Sequence, residues 1–329
     1  MSLLDFQTNI LFFTFFITVT ISLIVIPILK RLKIGQIERN DGPQSHFKKE
    51  GTPTMGGVII IIAISIMSLL ISIYYYKQGN TEIIKKIISL LIISVGFGVV
   101  GFVDDYKKLV LKDTKGLKPS YKMIGLLLIS VIYILYIVKV LDIGTQTYIP
   151  FLKEYITLPI WIYIPFAIFI ILATTNAINI TDGIDGLSPS ITSIIITCLT
   201  VIGIIFNVKE IIVFGSIVCG SCLGFLLFNL NPAKVFMGDT GSLLLGGVIA
   251  SICLYLKVPL LLIIVALIPI LETLSVIIQV AYFKKTGNRV FKMAPLHHHF
   301  ELSGWKENKI VSIFSIITLI LCIIGINAI

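Results

Sequence analysis

Two aspartates stand side by side where a long apolar run ends: Asp104 and Asp105, in the stretch GFVDDYKK. Neighbouring side chains on a helix diverge by about 100°, so the pair divides its work, and one can bind a metal ion while the other acts as a base. A second block, NAINITDGIDGL, sets Asn179, Asp182 and Asp185 three residues apart. That spacing keeps polar groups on one helical face or one loop rim, and Gly183 and Gly186 loosen the backbone between them. In a third block, FNLNPAKVFMGDTGS, Asp239 lies between Gly238 and Gly241, ahead of Ser242. Backbone N–H groups at such a helix start can cradle an anion, or the acid can hold a cation. Phe236 just before it offers a flat face on which a base can stack.

Two further blocks are basic. APLHHHFE carries His297, His298 and His299, three of the four histidines of the chain. Acids and cysteines at zinc spacing are missing nearby, so hydrogen bonding to phosphate is the better use for these rings. KKEGTPTMGG places Lys48 and Lys49, which can steer a polyanion, before Thr54 at the opening of an apolar run. Each block has an ordinary alternative: charges that end a helix at the membrane surface, an Asx-turn and N-cap, a capped turn, a basic anchor. Those alternatives explain single residues well and the set of five poorly.

The elements that must position these residues are apolar helices. The 329 residues are 57% hydrophobic and 13% charged, against about 25% charged in a soluble domain. A span needs about 20 apolar residues, and ten runs qualify: 8–29, 54–76, 83–103, 121–140, 158–176, 187–206, 210–228, 241–257, 259–283 and 308–329. None alternates as a membrane β-strand does, and no repeat or soluble domain interrupts them. The expectation is an all-α polytopic membrane protein, with one transmembrane catalytic domain over 1–329. The first run reads as a span rather than a cleaved leader, because it is long and ends in basic residues. Nineteen of the 26 Lys and Arg residues fall on the loops 30–53, 104–122, 177–186, 229–240 and 284–309. The positive-inside rule makes that side cytoplasmic and puts both termini outside.

The net charge of +9 thus reflects topology and a basic inner face suited to anionic lipid or a phosphorylated substrate; no nucleic-acid partner is expected. Asp104, Asp105, Asp182, Asp185 and Asp239 all fall on that side, whereas Glu272 lies inside the ninth run. CGSC at 219–222 has redox spacing but sits mid-run among small residues, and reads as helix packing. NIT at 179–181 is a formal glycosylation sequon on the wrong side of the membrane.

Together the blocks KKEGTPTMGG, GFVDDYKK, NAINITDGIDGL, FNLNPAKVFMGDTGS and APLHHHFE resemble the polyprenyl-phosphate N-acetylhexosamine-1-phosphate transferases. The His block is similar to the branch that handles a muramoyl-pentapeptide. The resemblance implies a reaction between UDP-MurNAc-pentapeptide and undecaprenyl phosphate that yields lipid I and UMP. It implies dependence on Mg²⁺, a site on the cytoplasmic face of a bacterial inner membrane, and a homodimer. It implies that Asp239 holds the metal ion with Asn179 nearby, that Asp104 activates the acceptor with Asp105 beside it, and that Asp182 lines the cleft. Lys49, Asp185, Asn229 and Phe236 resemble the uridine-binding residues. Thr54, Gly238, Ser242 and the histidines would contact substrate, as would Lys112 and Lys122 of the basic second loop.

In this family the ninth helix is broken, which Pro269 would permit, leaving a lipid-facing groove and Glu272 less buried than its place in the run suggests. Direct attack by the lipid phosphate and a covalent aspartyl intermediate are both compatible with these residues. A dianionic phosphate is a good nucleophile, which favours direct attack. The competing readings are a relative using another sugar nucleotide, and a transporter, which would need its acids near the membrane midplane.

Overall fold

The computed structural model describes residues 3–32, 49, 51–111 and 116–329. Its long helices are α1 (Leu3–Arg31), α2 (Gly57–Lys77), α3 (Thr81–Leu109), α4 (Pro119–Lys139), α5 (Ile160–Thr181), α6 (Leu187–Ile205), α7 (Lys209–Asn229), α8 (Gly238–Tyr255), α10 (Leu267–Thr286) and α12 (Glu307–Asn327). These ten, one for each apolar run, are long and apolar enough to cross a membrane. Two short helices, α9 (Leu262–Val265) and α11 (Leu296–Glu301), and two strands, β1 (Gln146–Ile149) and β2 (Glu154–Thr157), complete the described elements.

α8 is the axis of the bundle. Nearly all of it is buried, with α3 and α5 packed along it and α2 and α6 against its remaining sides. Helices in lipid gain little from burying apolar surface against one another, so close packing of small residues holds them together. Gly101 of α3 presses so tightly on the Asp239 carbonyl that a Cβ there would overlap it. α7 meets α1 through Gly220 and Gly224, which face the Leu11 and Phe15 carbonyls. This is the packing use expected for the CGSC stretch, and all five cysteines are free and buried. Large apolar side chains such as Phe12, Phe16, Leu128, Ile132 and Phe169 are exposed on the outside, where lipid would cover them.

The structure departs from the sequence reading in three places. Part of what was expected in loops is helical: α3 continues to Leu109, taking in Asp104 and Asp105, and α5 to Thr181, taking in Asn179, while Asp182 and Asp185 stay in the loop that follows. An i,i+4 pair, Asp104 with Lys108 at 2.8 Å, supports the extra turn of α3. The all-α expectation also misses an antiparallel hairpin, β1–β2, with Gln146 opposite Thr157 and Ile149 opposite Glu154. Phe151 and Lys153 turn it with positive φ. It docks on the bundle: Tyr148 donates its backbone N–H to the Lys257 carbonyl (2.7 Å), and Phe151 its own to the Ala328 carbonyl (2.8 Å). Its strands are only four residues each and lie between two spans, so a search for long apolar runs passes over it. The third departure concerns Glu272, in the run 259–283, which comprises a 3-10 turn (Pro259–Leu261), α9 and α10, the last starting after Ala266 with Pro269 in its first turn. Glu272, expected to be less buried than it looked, is wholly buried, because it serves a partner described below.

Candidate active site

Four helix ends meet at one end of α8. Asp239 occupies the first turn of α8, where the helix dipole favours an anion. Its Oδ2 accepts from both Lys108 and Lys122, each at 2.9 Å, and its Oδ1 accepts from the Asn179 amide at 2.7 Å. Asn179 also donates to Ser242 at 2.8 Å. Asp104 Oδ2 accepts from the same two ammonium groups, Lys108 at 2.8 Å and Lys122 at 3.4 Å, while its Oδ1 accepts the Leu117 N–H at 2.7 Å. The result is a ring of alternating charge: two carboxylates from α3 and α8, two lysines from α3 and α4.

Asp105 has a different occupation. It is buried and accepts from the Asp239 N–H (3.2 Å), the Thr240 N–H (2.9 Å) and the Thr240 hydroxyl (2.6 Å). It caps α8 from a neighbouring helix, satisfying N–H groups that the helix itself leaves unpaired. Asp104 faces the lysines and Asp105 faces the α8 backbone, so the adjacent acids divide their work along different lines from those expected. Asp182 follows α5. Burial holds its carboxyl well above the usual carboxylate range, and the charges of Asp239, Asp105 and Asp185 push it further in the same direction.

A second polar cluster adjoins the first. Lys49 donates to Asp185 and to Glu307, both at 2.7 Å. Burial alone would depress this ammonium, but the two carboxylates outweigh it and hold it above its ordinary value. Asp185 accepts further from Asn231 and the Ala233 N–H, each at 3.0 Å. Asn229 bridges the loops, accepting from Gly186 N–H (3.1 Å) and donating to the Val235 carbonyl (2.8 Å). Phe236 is held by its backbone, donating to the Pro53 carbonyl and accepting from Gly56 N–H, both at 2.8 Å; its ring is partly exposed. Thr54 is buried beside Gly238.

The three histidines point to three different partners. His297 is buried on Glu272, His298 pairs with Glu301 at 2.7 Å, and His299 accepts the Lys292 N–H at 3.1 Å. Among the described residues no group of three or more His, Cys, Asp or Glu side chains gathers to hold an ion. Lys112 lies outside the described residues. Lys108, Asn231 and Glu307 belong to these clusters and were not singled out from sequence. Only Lys108 carried a signal, its i+4 spacing from Asp104.

Residues 87–257 match the pattern of glycosyl transferase family 4, and residues 49–61 match phospho-N-acetylmuramoyl-pentapeptide-transferase signature 1. A phospho-N-acetylmuramoyl-pentapeptide-transferase of Clostridium botulinum (strain Eklund 17B / Type B) is 51% identical over 302 residues, covering 92% of this chain and 90% of the relative. The chain belongs to the phospho-N-acetylmuramoyl-pentapeptide-transferase family. Members from Acetivibrio thermocellus (46% over 319 residues, 95% and 93% of the two chains) and Caldicellulosiruptor bescii (44% over 324 residues, 98% of each) extend the likeness over almost the full length. The transferase signature takes in Lys49 and Thr54, and the broader glycosyl transferase match takes in both lysine–aspartate partners and Asn179. Glu272 and the histidines lie beyond that broader match.

Proposed function

We propose that the protein transfers phospho-MurNAc-pentapeptide from UDP-MurNAc-pentapeptide to undecaprenyl phosphate, releasing UMP and forming lipid I for peptidoglycan synthesis. The observation that carries this reading is the Asp104–Lys108–Asp239–Lys122 ring. A reaction between two phosphate-bearing substrates needs cationic groups that can receive phosphate oxygens and acidic groups that can hold a cation, in one place. The ring supplies both at the ends of spanning helices, where a soluble nucleotide and a lipid can meet.

The donor set suits Mg²⁺, which takes oxygen ligands and commonly uses one or two carboxylates together with substrate phosphates and water. Asp239 would hold it, with Asn179 and Asp104 adjacent. When bound it would neutralise charge on the transferred phosphoryl group. Lys108 and Lys122 receive diphosphate oxygens. Phe236 stacks on the uracil, and Lys49, Asp185 and Asn229 fix the nucleoside. Both oxygens of Asp104 are already engaged, one by a backbone N–H and one by ammonium groups. That favours Asp104 as a proton-handling neighbour of the attacking phosphate over a covalent nucleophile.

The basic loops support a cytoplasmic site with both termini outside. The interruption at Ala266 supports an α10 that departs from the bundle direction and leaves a groove for the polyprenyl chain. A homodimer belongs to the same reading. The test is a magnesium titration of UMP release with UDP-MurNAc-pentapeptide and a polyprenyl phosphate, repeated on Asp239→Asn. Loss of turnover in a variant that stays folded is expected. Turnover with UDP-GlcNAc in place of the muramoyl donor, or magnesium-independent substrate flux, would overturn the proposal.

A further inference from the structure

Glu272 is the one wholly buried acid inside a spanning helix among the described residues. Its partner is His297, which is equally buried. Glu272 Oε2 takes the ring Nδ1 at 3.1 Å, and Oε1 takes the His297 backbone N–H at 3.2 Å. A carboxylate only accepts, so the proton of a neutral ring sits on Nδ1 and Nε2 carries a bare lone pair. That Nε2 is buried with no hydrogen-bond partner among the described residues. A buried polar atom left unpaired is costly. Nε2 stands against Gly183, so closely that a Cβ at that position would overlap it. Gly183 is exposed on the loop between Asp182 and Asp185, two acids of the clusters described above. The His298 ring lies on the other side, with centroids 4.2 Å apart.

We infer that Glu272 is a positioning residue: it fixes the tautomer and tilt of His297, whose bare Nε2 edge braces the Asp182–Asp185 loop at Gly183. The inference deepens the proposed transferase reading and rests on it. Two features fit a brace better than a simple core contact. One carboxylate holds His297 both at ring Nδ1 and at its backbone N–H, which ties the ring's position to its own main chain. The contacted residue is a glycine, and only a residue without a side chain lets the ring edge reach the loop backbone. A protonated Nε2 would be a buried donor with no acceptor, so the brace depends on the tautomer that Glu272 imposes.

Glu272→Gln tests this without changing volume. The amide has one accepting oxygen. The backbone N–H of His297 must donate, so that oxygen stays on it, and the NH₂ group then donates to Nδ1. The ring proton moves to Nε2. Long-range ¹H–¹⁵N correlation on protein labelled at its histidine ring nitrogens, with His297 assigned from a His297→Gln sample, is expected to show a bare Nε2 in the parent and a protonated one in the variant. Misplacement of reacting groups by about 1 Å costs on the order of 100-fold in rate. The variant should lose kcat on that scale with KM for UDP-MurNAc-pentapeptide changed less than about threefold. A merely structural role would lower the melting temperature and leave kcat per folded molecule as it was even though the tautomer changes.

Gly183→Ala reaches the same contact from the other side and leaves Glu272 intact. It should reproduce the kcat loss while keeping the parent tautomer at Nδ1, and the double variant should be no worse than either single one. A parent with protonated Nε2, or either variant with parental kcat, overturns the inference, and Gly183→Ala alone decides it if Glu272→Gln does not fold. Asp239→Asn separates the two levels. If it abolishes UMP release while Glu272→Gln has no effect, the brace fails and the transferase reading stands. If the parent releases no UMP, the transferase reading fails while the tautomer remains measurable.

Discussion

Asp105→Asn separates a clamp from a chemical group. In the parent, Oδ2 accepts from the Thr240 N–H and hydroxyl at 2.9 and 2.6 Å, and Oδ1 accepts from the Asp239 N–H at 3.2 Å. An asparagine retains one accepting oxygen. If it keeps the two shorter bonds, its NH₂ group faces the Asp239 N–H, donor against donor. One charge-assisted bond is lost and one buried donor goes unpaired, a cost of about 1–3 kcal/mol. Loss of a helix N-cap spans a similar range, roughly 0.5–2 kcal/mol, so about 2 kcal/mol is the expected destabilisation. In thermal unfolding of the detergent-solubilised protein that is a fall of several degrees. The damaged turn carries Asp239, so turnover in the UMP-release assay should fall together with stability. Asp239→Asn, whose side chain is partly exposed, should lose turnover with little change in melting. An Asp105→Asn protein that melts like the parent yet is inactive would refute the clamp and return Asp105 to the chemistry.

Lys108→Gln leaves Asp104 and Asp239 sharing Lys122 alone. Steady-state assays should show kcat/KM reduced on the order of 100-fold, the scale for losing one electrostatic contact to a transferring group, while the apparent magnesium affinity tightens because negative charge is uncovered. Glu307→Gln removes one of the two carboxylates on Lys49; KM for the UDP-linked donor should shift by about fivefold, equivalent to roughly 1 kcal/mol, with kcat unchanged, and a changed kcat would place Glu307 nearer the reaction than its contacts indicate. Apparent magnesium affinity should rise with pH, because Asp182, held above the carboxylate range by burial and neighbouring acids, loses its proton as pH climbs through that raised value and then adds to the attraction for a cation; Asp182→Asn should flatten this dependence in a binding titration at fixed ionic strength.

Much of the site was legible because its chemistry is concentrated in short blocks. Asp104, Asn179, Asp239 and Lys122 come together as one cluster, and Lys49 and Asp185, 136 residues apart, as another. The ten spans were legible because lipid-facing helices need length and apolarity, and both show directly in composition. What stayed hidden depends on direction or on distant partners. Nothing in the DD dipeptide says which carboxylate turns toward α8 and which toward the lysines; that is set by the phase of α3 and by the contact at Gly101. Glu307 opens the last helix like many N-terminal acids, and only its distance to Lys49 sets it apart. Glu272 looked like an isolated charge because its partner lies 25 residues away. The hairpin escaped because QTYI and EYIT are four residues each, too short to stand out between two long spans.

The alternating ring of lysines and aspartates has one more consequence. With its charges mutually satisfied, the resting cleft gives a stray divalent ion little reason to stay, since every carboxylate oxygen of the ring already accepts from an ammonium, an amide or a backbone N–H. An incoming diphosphate competes for those ammonium groups, and as they swing to it they uncover the carboxylates. On the proposed reading nucleotide and metal would then be recruited as a pair, each improving the hold on the other, and a nucleoside analogue without phosphates would bind with the same strength whether or not magnesium is in the buffer.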